Sequence, residues 1–390
     1  MLFKSVLLIV VLAGVLPYGR SPIYSFPTPS IFAGSAFLNP YANLHGTWQR
    51  ANLHAHGRAW GGLTNGRRQS DDEVARRYRE LGYSVAGVSD YHRIAAHDGV
   101  ATMPIYEHGY DLGKHHQLAI GARRVEWFDF PLWQSLSHEQ FIIDRVRQTA
   151  DLVALAHPSS RDAYSPEDLQ LLTGYQLLEV LNGPFPNEEA WDAALSSGHA
   201  VWAVANDDSH DLSEEHRIAV AWNMIDAPSS STSDVVAALG AGRTYAVARS
   251  KDTIAAGGAT LASVAVSDGT VVVTLAGAPS TFTFVGQNGE VRKTVEDVTS
   301  ADYTFTSTDT YIRTVIRTPS TTMYLNPLIR YDGVRLPAPA ATIDTGGTWL
   351  LRLSFVLGGF ALVLILRRRR PAALAPTPQS GLGRGDRNVA

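Results

Sequence analysis

The stretch Asn52-Leu53-His54-Ala55-His56-Gly57 sets two histidines one residue apart. Side chains repeat with period two along an extended strand, so His54 and His56 share a face. Two imidazoles on one face are a clamp for a divalent ion. An isolated pair of this kind is more often an ordinary core or surface pair. Here three later apolar runs end in further His and Asp residues. Asp90 and His92 follow the run 84–89, His157 follows 152–156, and Asp208 and His210 follow 201–205. If these runs are parallel strands of a barrel, residues just past their carboxyl ends converge on one face. Five or six nitrogen and oxygen ligands meeting there could hold two or three metal ions. The chain has no cysteine, so any ion must be held by His, Asp or Glu.

The elements that would position these groups can be read from periodicity. Residues 41–250 alternate short apolar strands with amphipathic helices, an α/β layout with parallel strands. Ser70 and Glu73 form a capping box ahead of a helix that Gly82 stops. Phe141, Ile142, Arg145 and Val146 lie on a later helix. Asn187 caps a helix through Trp191 and Leu195 that Gly198 closes. Residues 251–335 have an all-β texture: Asp268-Gly269 is a hairpin turn pair between apolar runs, and Thr-rich alternation continues to Val315. This is most simply a small β-sandwich, and it carries no constellation of titratable groups.

Taken in order, Asn52-Leu53-His54-Ala55-His56, Ser89-Asp90-Tyr91-His92, Ala156-His157-Pro158, Glu179-Val180-Leu181-Asn182 and Asp208-Ser209-His210 resemble the PHP (polymerase and histidinol phosphatase) metallohydrolases. Leu239-Gly240-Ala241-Gly242-Arg243-Thr244-Tyr245 resembles the segment that closes such domains. The resemblance covers about residues 41–247. It implies a distorted (βα)7 barrel, two or three divalent ions (zinc, manganese or iron), and hydrolysis of phosphoesters. The nucleophile would be a metal-activated water, with no catalytic side chain.

Carried over by residue, the resemblance places His54, His56 and Asp208 on one metal, and His92, His157 and His210 on the others. Pro104-Ile105-Tyr106-Glu107 resembles the family's P-G-x-E segment, and His116 its later histidine. Glu126 and His115 are the rivals for these two roles, and the interval from His92 to Glu107 is shorter than the family's. Asn65 stands where the family has an acidic or histidine ligand, a weaker and uncharged donor. Asp90, Glu179 and Asn182 would support the ligands from behind. Arg58, Arg123, Arg124 and Arg161 could clamp phosphate, although each is more simply an ordinary surface arginine.

The 390 residues leave room for two domains, and 45% hydrophobic content suffices for packed cores. A net charge of -4 gives no sign of nucleic-acid binding. Residues 1–20, with Lys4 ahead of an apolar run ended by Pro17, read as a signal sequence or N-terminal anchor. Residues 349–366 read as a transmembrane helix of about 27 Å. Four arginines at 367–370 put the far end in the cytoplasm, and the tail 367–390 reads as basic and disordered. The catalytic body would then lie outside the cytoplasm, acting on a phosphorylated small molecule or envelope polymer. Two rivals differ in class: an amidohydrolase-like enzyme for non-phosphate substrates, and a membrane-anchored binding or assembly protein with structural metals.

Overall fold

The computed structural model describes residues 14–63, 66, 68–95, 103–250 and 259–368. Local signals set several elements. Ser70 Oγ accepts from Glu73 N and the Glu73 carboxylate accepts from Ser70 N, starting the helix Asp71–Glu80. Gly82, at φ +83°, turns the chain out of it. Asp268 and Gly269 both take positive φ, joining Thr260–Ser267 to Thr270–Ala276 as a tight hairpin. Asn187 heads the helix Glu188–Ser196, but its amide donates to Glu179 O instead of capping.

Strand pairing runs around a ring. Trp48–Asn52 pairs in parallel with Val85–Ala86, and the expected strand 84–89 is reduced to those two residues. Tyr91 bridges Glu107, which begins a sheet running from Ile105–His108 through Gln117–Ile120, Leu152–Leu155 and Leu177–Asn182 to Trp202–Asn206. The chain then returns to the first strand: Asp208 N donates to His54 O, and His56 N to Ser209 O. One departure from the parallel layout has a simple cause. Gln117–Ile120 is antiparallel to both neighbours, because the link 109–116 is too short for a parallel crossover, which takes about a dozen residues.

The β region past residue 258 shares a sheet with this ring. Thr244–Arg249 pairs with Thr321–Leu325, and the sheet continues through Tyr311–Arg317 and Ser280–Val285 to Val291–Val298. Thr260–Ser267, Thr270–Ala276 and Ser300–Thr304 form a separate three-stranded sheet. Val264, Val271, Val273, Phe282, Phe284 and Ile316 share one buried cluster with Tyr245 and Val247.

At the C-terminal end lies the helix Thr345–Arg368. Its stretch Thr345–Ile365 has a mean hydropathy of 2.0 and is long and apolar enough to cross a membrane. Residues 14–20 are helical, and Gly19 packs on Phe355: a Cβ there would lie 3.0 Å from the ring. Ile23–Ser25 then pairs antiparallel with Thr342–Asp344. The remainder of the expected leader (1–13), the first residues of the expected β-sandwich (251–258) and the tail from 369 lie outside the described residues.

A buried ion pair ties the two regions. Arg313, on Tyr311–Arg317, reaches both carboxylate oxygens of Asp192 at 2.8 and 2.6 Å, and Glu188 at 2.9 Å. Tyr311 adds its hydroxyl to Asp192 at 2.9 Å. Arg313→Ala leaves Asp192 buried without its countercharge, a loss of about 3–5 kcal/mol. Urea unfolding should read that loss, and Asp192→Asn combined with Arg313→Met should recover part of it.

Candidate metal centre

The ring brings together seven of the eight expected ligands in three groups: His54, His56 and Glu107; His56, Asp208 and His210; Glu107, His116 and His157. His54 and His56 leave the strand Trp48–Asn52 on one face. Glu107 comes from Ile105–His108, His116 precedes Gln117–Ile120, and His157 follows Leu152–Leu155. Asp208 and His210 follow Trp202–Asn206. His157 and Asp208 turn inward at φ +31° and +49°, left-handed backbone that costs a residue other than glycine about 1–3 kcal/mol.

Glu107 is the hub. Its Oε2 lies 3.4 Å from His54 Nε2 and 3.1 Å from His56 Nε2. Asp208 Oδ1 lies 3.1 and 3.2 Å from the same two nitrogens. Glu107 Oε1 faces the other way, 2.6 Å from His116 Nδ1 and 3.1 Å from His157 Nε2. Ions with bonds of roughly 2.0–2.2 Å in tetrahedral geometry separate their ligands by about 3.4 Å, close to the spacings around Oε2. His54 Nε2, His56 Nε2, Glu107 Oε2, Asp208 Oδ1 and His210 Nε2 are all buried without a hydrogen-bond partner. Orphaned buried polar atoms are costly, and here they converge. The donor set is hard oxygen with imidazole nitrogen, suited to zinc, manganese or iron.

Further groups orient these atoms. Glu179 Oε1 lies 3.1 Å from His54 Nδ1; a carboxylate can only accept, so Nδ1 keeps its proton and Nε2 is the nitrogen that an ion can take. Glu179 Oε2 accepts from His157 N and from the Asn182 amide, which also donates to Asp208 Oδ2 at 3.2 Å. Asp208 therefore turns Oδ1 inward. His210 Nδ1 donates to Asp208 O, which frees Nε2.

Electrostatics follow from three carboxylates among imidazoles: Glu107 and Glu179, both fully buried, and Asp208, nearly so. Burial resists charging of His54 and His56, but Asp208, Glu107 and, for His54, Glu179 outweigh it. His54 is held well above its ordinary range and His56 is pushed up to about 9. Burial likewise works against the charge on Glu107 and Asp208, yet the facing imidazoles hold both below the usual carboxylate range. His210 is pushed down to about 4, by burial first and then by His56. The cavity thus requires positive charge, supplied by protons or by cations.

His92 is the ligand assignment the structure corrects. Its Nδ1 donates to Glu126 O at 2.9 Å and its Nε2 accepts from Gly109 N at 3.1 Å, so both nitrogens are used. Burial pushes it down to about 4, a neutral structural imidazole. The residue before it is the one that reaches the centre: the Tyr91 ring stacks on His56 at 4.8 Å and meets His116 at 5.4 Å. Burial, then the Glu107 and Asp208 charges, hold its phenol protonated. Period-two alternation between Asp90 and His92 was the signal for Tyr91.

Asp90 also faces away, accepting from Gly57 N and pairing with Arg93, which in turn holds Asp71. Of the rivals, Glu126 is taken by Arg145 at 2.9 Å, and His115 Nδ1 by Asp111 at 2.6 Å. Arg123 pairs with Asp151, and Arg161 donates to Leu112 O. Asn65 lies outside the described residues.

No family model matches the chain, and no curated protein matches it. Among solved structures the chain is similar to a two-domain protein from Bacteroides vulgatus, described as containing a predicted PHP-like metal-dependent phosphoesterase. The identity is 14%, over 79% of this chain and 92% of that one, with a TM-score of 0.41.

Because His54 and His56 sit above neutrality without metal, each holds a proton at pH 7 that an ion must displace. Zinc uptake by metal-free protein should release protons, and apparent affinity should rise with pH up to about 9. Calorimetry in two buffers of different ionisation enthalpy checks this. Glu179→Gln should weaken binding about 10–100-fold by loosening His54.

Proposed function

We propose that this chain is a metal-dependent phosphoesterase of the PHP type, anchored in a membrane by the helix Thr345–Arg368. The observation that carries the reading is Glu107, whose Oε2 serves one histidine pair and whose Oε1 serves another. A carboxylate shared in this way is what two neighbouring cation positions need. His54, His56, Glu107 and Asp208 would hold one ion, and Glu107, His116 and His157 a second. His210 is the free ligand for a third. When bound, such ions polarise phosphoryl oxygens and lower the pKa of water at the site.

The chain's own groups complete the chemistry. Tyr91, stacked on His56 at 4.8 Å, stands at the centre's edge, where its phenol could donate to a bound phosphoryl group. His210, whose side chain is 27% exposed, keeps its Nε2 buried and without a hydrogen-bond partner, turned toward the other ligands. Glu179 and Asn182 hold His54 and Asp208 fixed, so little reorganisation is left for the reaction. The described residues offer no nucleophilic side chain with an activating base in the centre, which agrees with attack by water.

Purified protein should carry at least two equivalents of divalent metal and hydrolyse a generic phosphoester such as p-nitrophenyl phosphate. His54→Ala with His56→Ala should remove both properties while the far-ultraviolet spectrum is retained. A folded wild-type protein that takes up no metal would sink the reading.

The same reading places the metal centre outside the cytoplasm, since Arg367 to Arg370 follow the apolar helix. Protease added to spheroplasts should digest the body and spare a short C-terminal fragment. Full protection would reverse the orientation.

A further inference from the structure

The link 109–116 joins the strand Ile105–His108, which carries Glu107, to His116 just ahead of Gln117–Ile120. A second set of polar groups lies within it. His116 faces Glu107, whereas its neighbour His115 meets the edge of Tyr164 at 5.6 Å. Asp111 is buried and holds His115 from two sides. Its Oδ1 accepts from His115 N at 2.9 Å, and its Oδ2 accepts from His115 Nδ1 at 2.6 Å and from Gly113 N at 2.8 Å. His115 Nδ1 therefore keeps its proton, and Nε2 is the nitrogen that an ion can take. A carboxylate behind an imidazole in this way is what orients histidines toward metals.

Glu139 faces that nitrogen from the first turn of the helix Leu136–Val146. Its Oε1 lies 3.7 Å from His115 Nε2, beyond hydrogen-bond reach. An ion bonded to both at roughly 2.0–2.2 Å fits that gap with an angle of about 120° between its bonds. Glu139 is 3% exposed, and its Oε2 is buried without a hydrogen-bond partner. An orphaned oxygen of this kind calls for an occupant. The surrounding charge has the matching sign. Burial, then Asp168 and Asp111, push the Glu139 carboxyl up to about 9. Among the described residues no lysine or arginine pairs with Asp111, Glu139 or Asp168. The His115 side chain keeps 11% of its surface open, which gives an ion a way in.

We propose that His115 Nε2 and the Glu139 carboxylate bind a divalent cation at a site separate from the metal centre, with Asp111 fixing the imidazole. One nitrogen and a carboxylate suit zinc or manganese. Water would fill the other positions, so the ion exchanges readily. Bound there, it clasps the link 109–116 to the helix Leu136–Val146 and steadies the two strands that present Glu107 and His116. The site does not depend on phosphoester chemistry, since its groups are other than those that surround Glu107.

The full chain, its tightly held metal left in place, is titrated with manganese(II) while electron paramagnetic resonance counts the free ion. Wild type should take up one equivalent more than Glu139→Gln, a substitution that keeps the side chain's size. Asp111→Asn should weaken the same step about 10–100-fold, because an amide can donate to Nδ1 and move the proton to Nε2. Hydrogen exchange of the amides in 109–116 should slow on adding manganese to wild type and stay unchanged in Glu139→Gln. Equal uptake by wild type and both variants puts any further ion elsewhere and overturns the site. Exchange in wild type that ignores manganese overturns the clasp.

Discussion

Everything in the centre depends on Glu107 being a fully buried carboxylate that faces imidazoles on both of its oxygens. A buried carboxylate is tolerated only when countercharge and hydrogen bonds repay its lost hydration. Asp208 doubles the demand, because its Oδ1 points at the same two histidine nitrogens. Two negative charges in a cavity walled by imidazole form a trap for cations. The shifts of His54 and His56 upward and of the two carboxylates downward express that one requirement from its two sides.

Such a trap works only if its walls cannot relax, and a network of amides supplies that rigidity. Asn206 Oδ1 accepts from Leu53 N while its amide donates to Glu179 Oε1. Asn52 Oδ1 accepts from Asp207 N and its amide donates to His54 O. The H-x-H strand and the D-x-H turn are thereby locked to each other on either side of the metal centre. The left-handed backbone is held at Asp208 by Asp207 N on Asn52 Oδ1 and Asp208 N on His54 O, and at His157 by its own N–H on Glu179 Oε2.

The convergence of these side chains was legible in the sequence because period-two alternation and the spacing of apolar runs are local properties. His54, His56, His157, Asp208 and His210 came from that pattern; Glu107 and His116 needed the resemblance, since nothing local separates Glu107 from Glu126. His92 was misread because a histidine beside an aspartate after a strand looks like a ligand. Its partners, Glu126 O and Gly109 N, are backbone atoms distant in sequence and leave no trace in composition. The β region read as all-β correctly in texture, but the pairing of Thr244–Arg249 with Thr321–Leu325 is long-range and invisible to a windowed reading.

That pairing bears on the centre itself. Asp207, the neighbour of Asp208, is wholly buried and accepts from the amides of Ala219, Val220 and Ala221 and from the Tyr78 hydroxyl. Ala221 opens the strand Ala221–Asp226, which is held between Trp48–Asn52 and Thr244–Arg249. Thr244–Arg249 would be an unpaired edge without Thr321–Leu325 beyond it. The path from the β layer to Asp208 thus runs through two strands, one carboxylate and one peptide bond. The β layer thus contributes to the placement of Asp208 through pairing and hydrogen bonds alone.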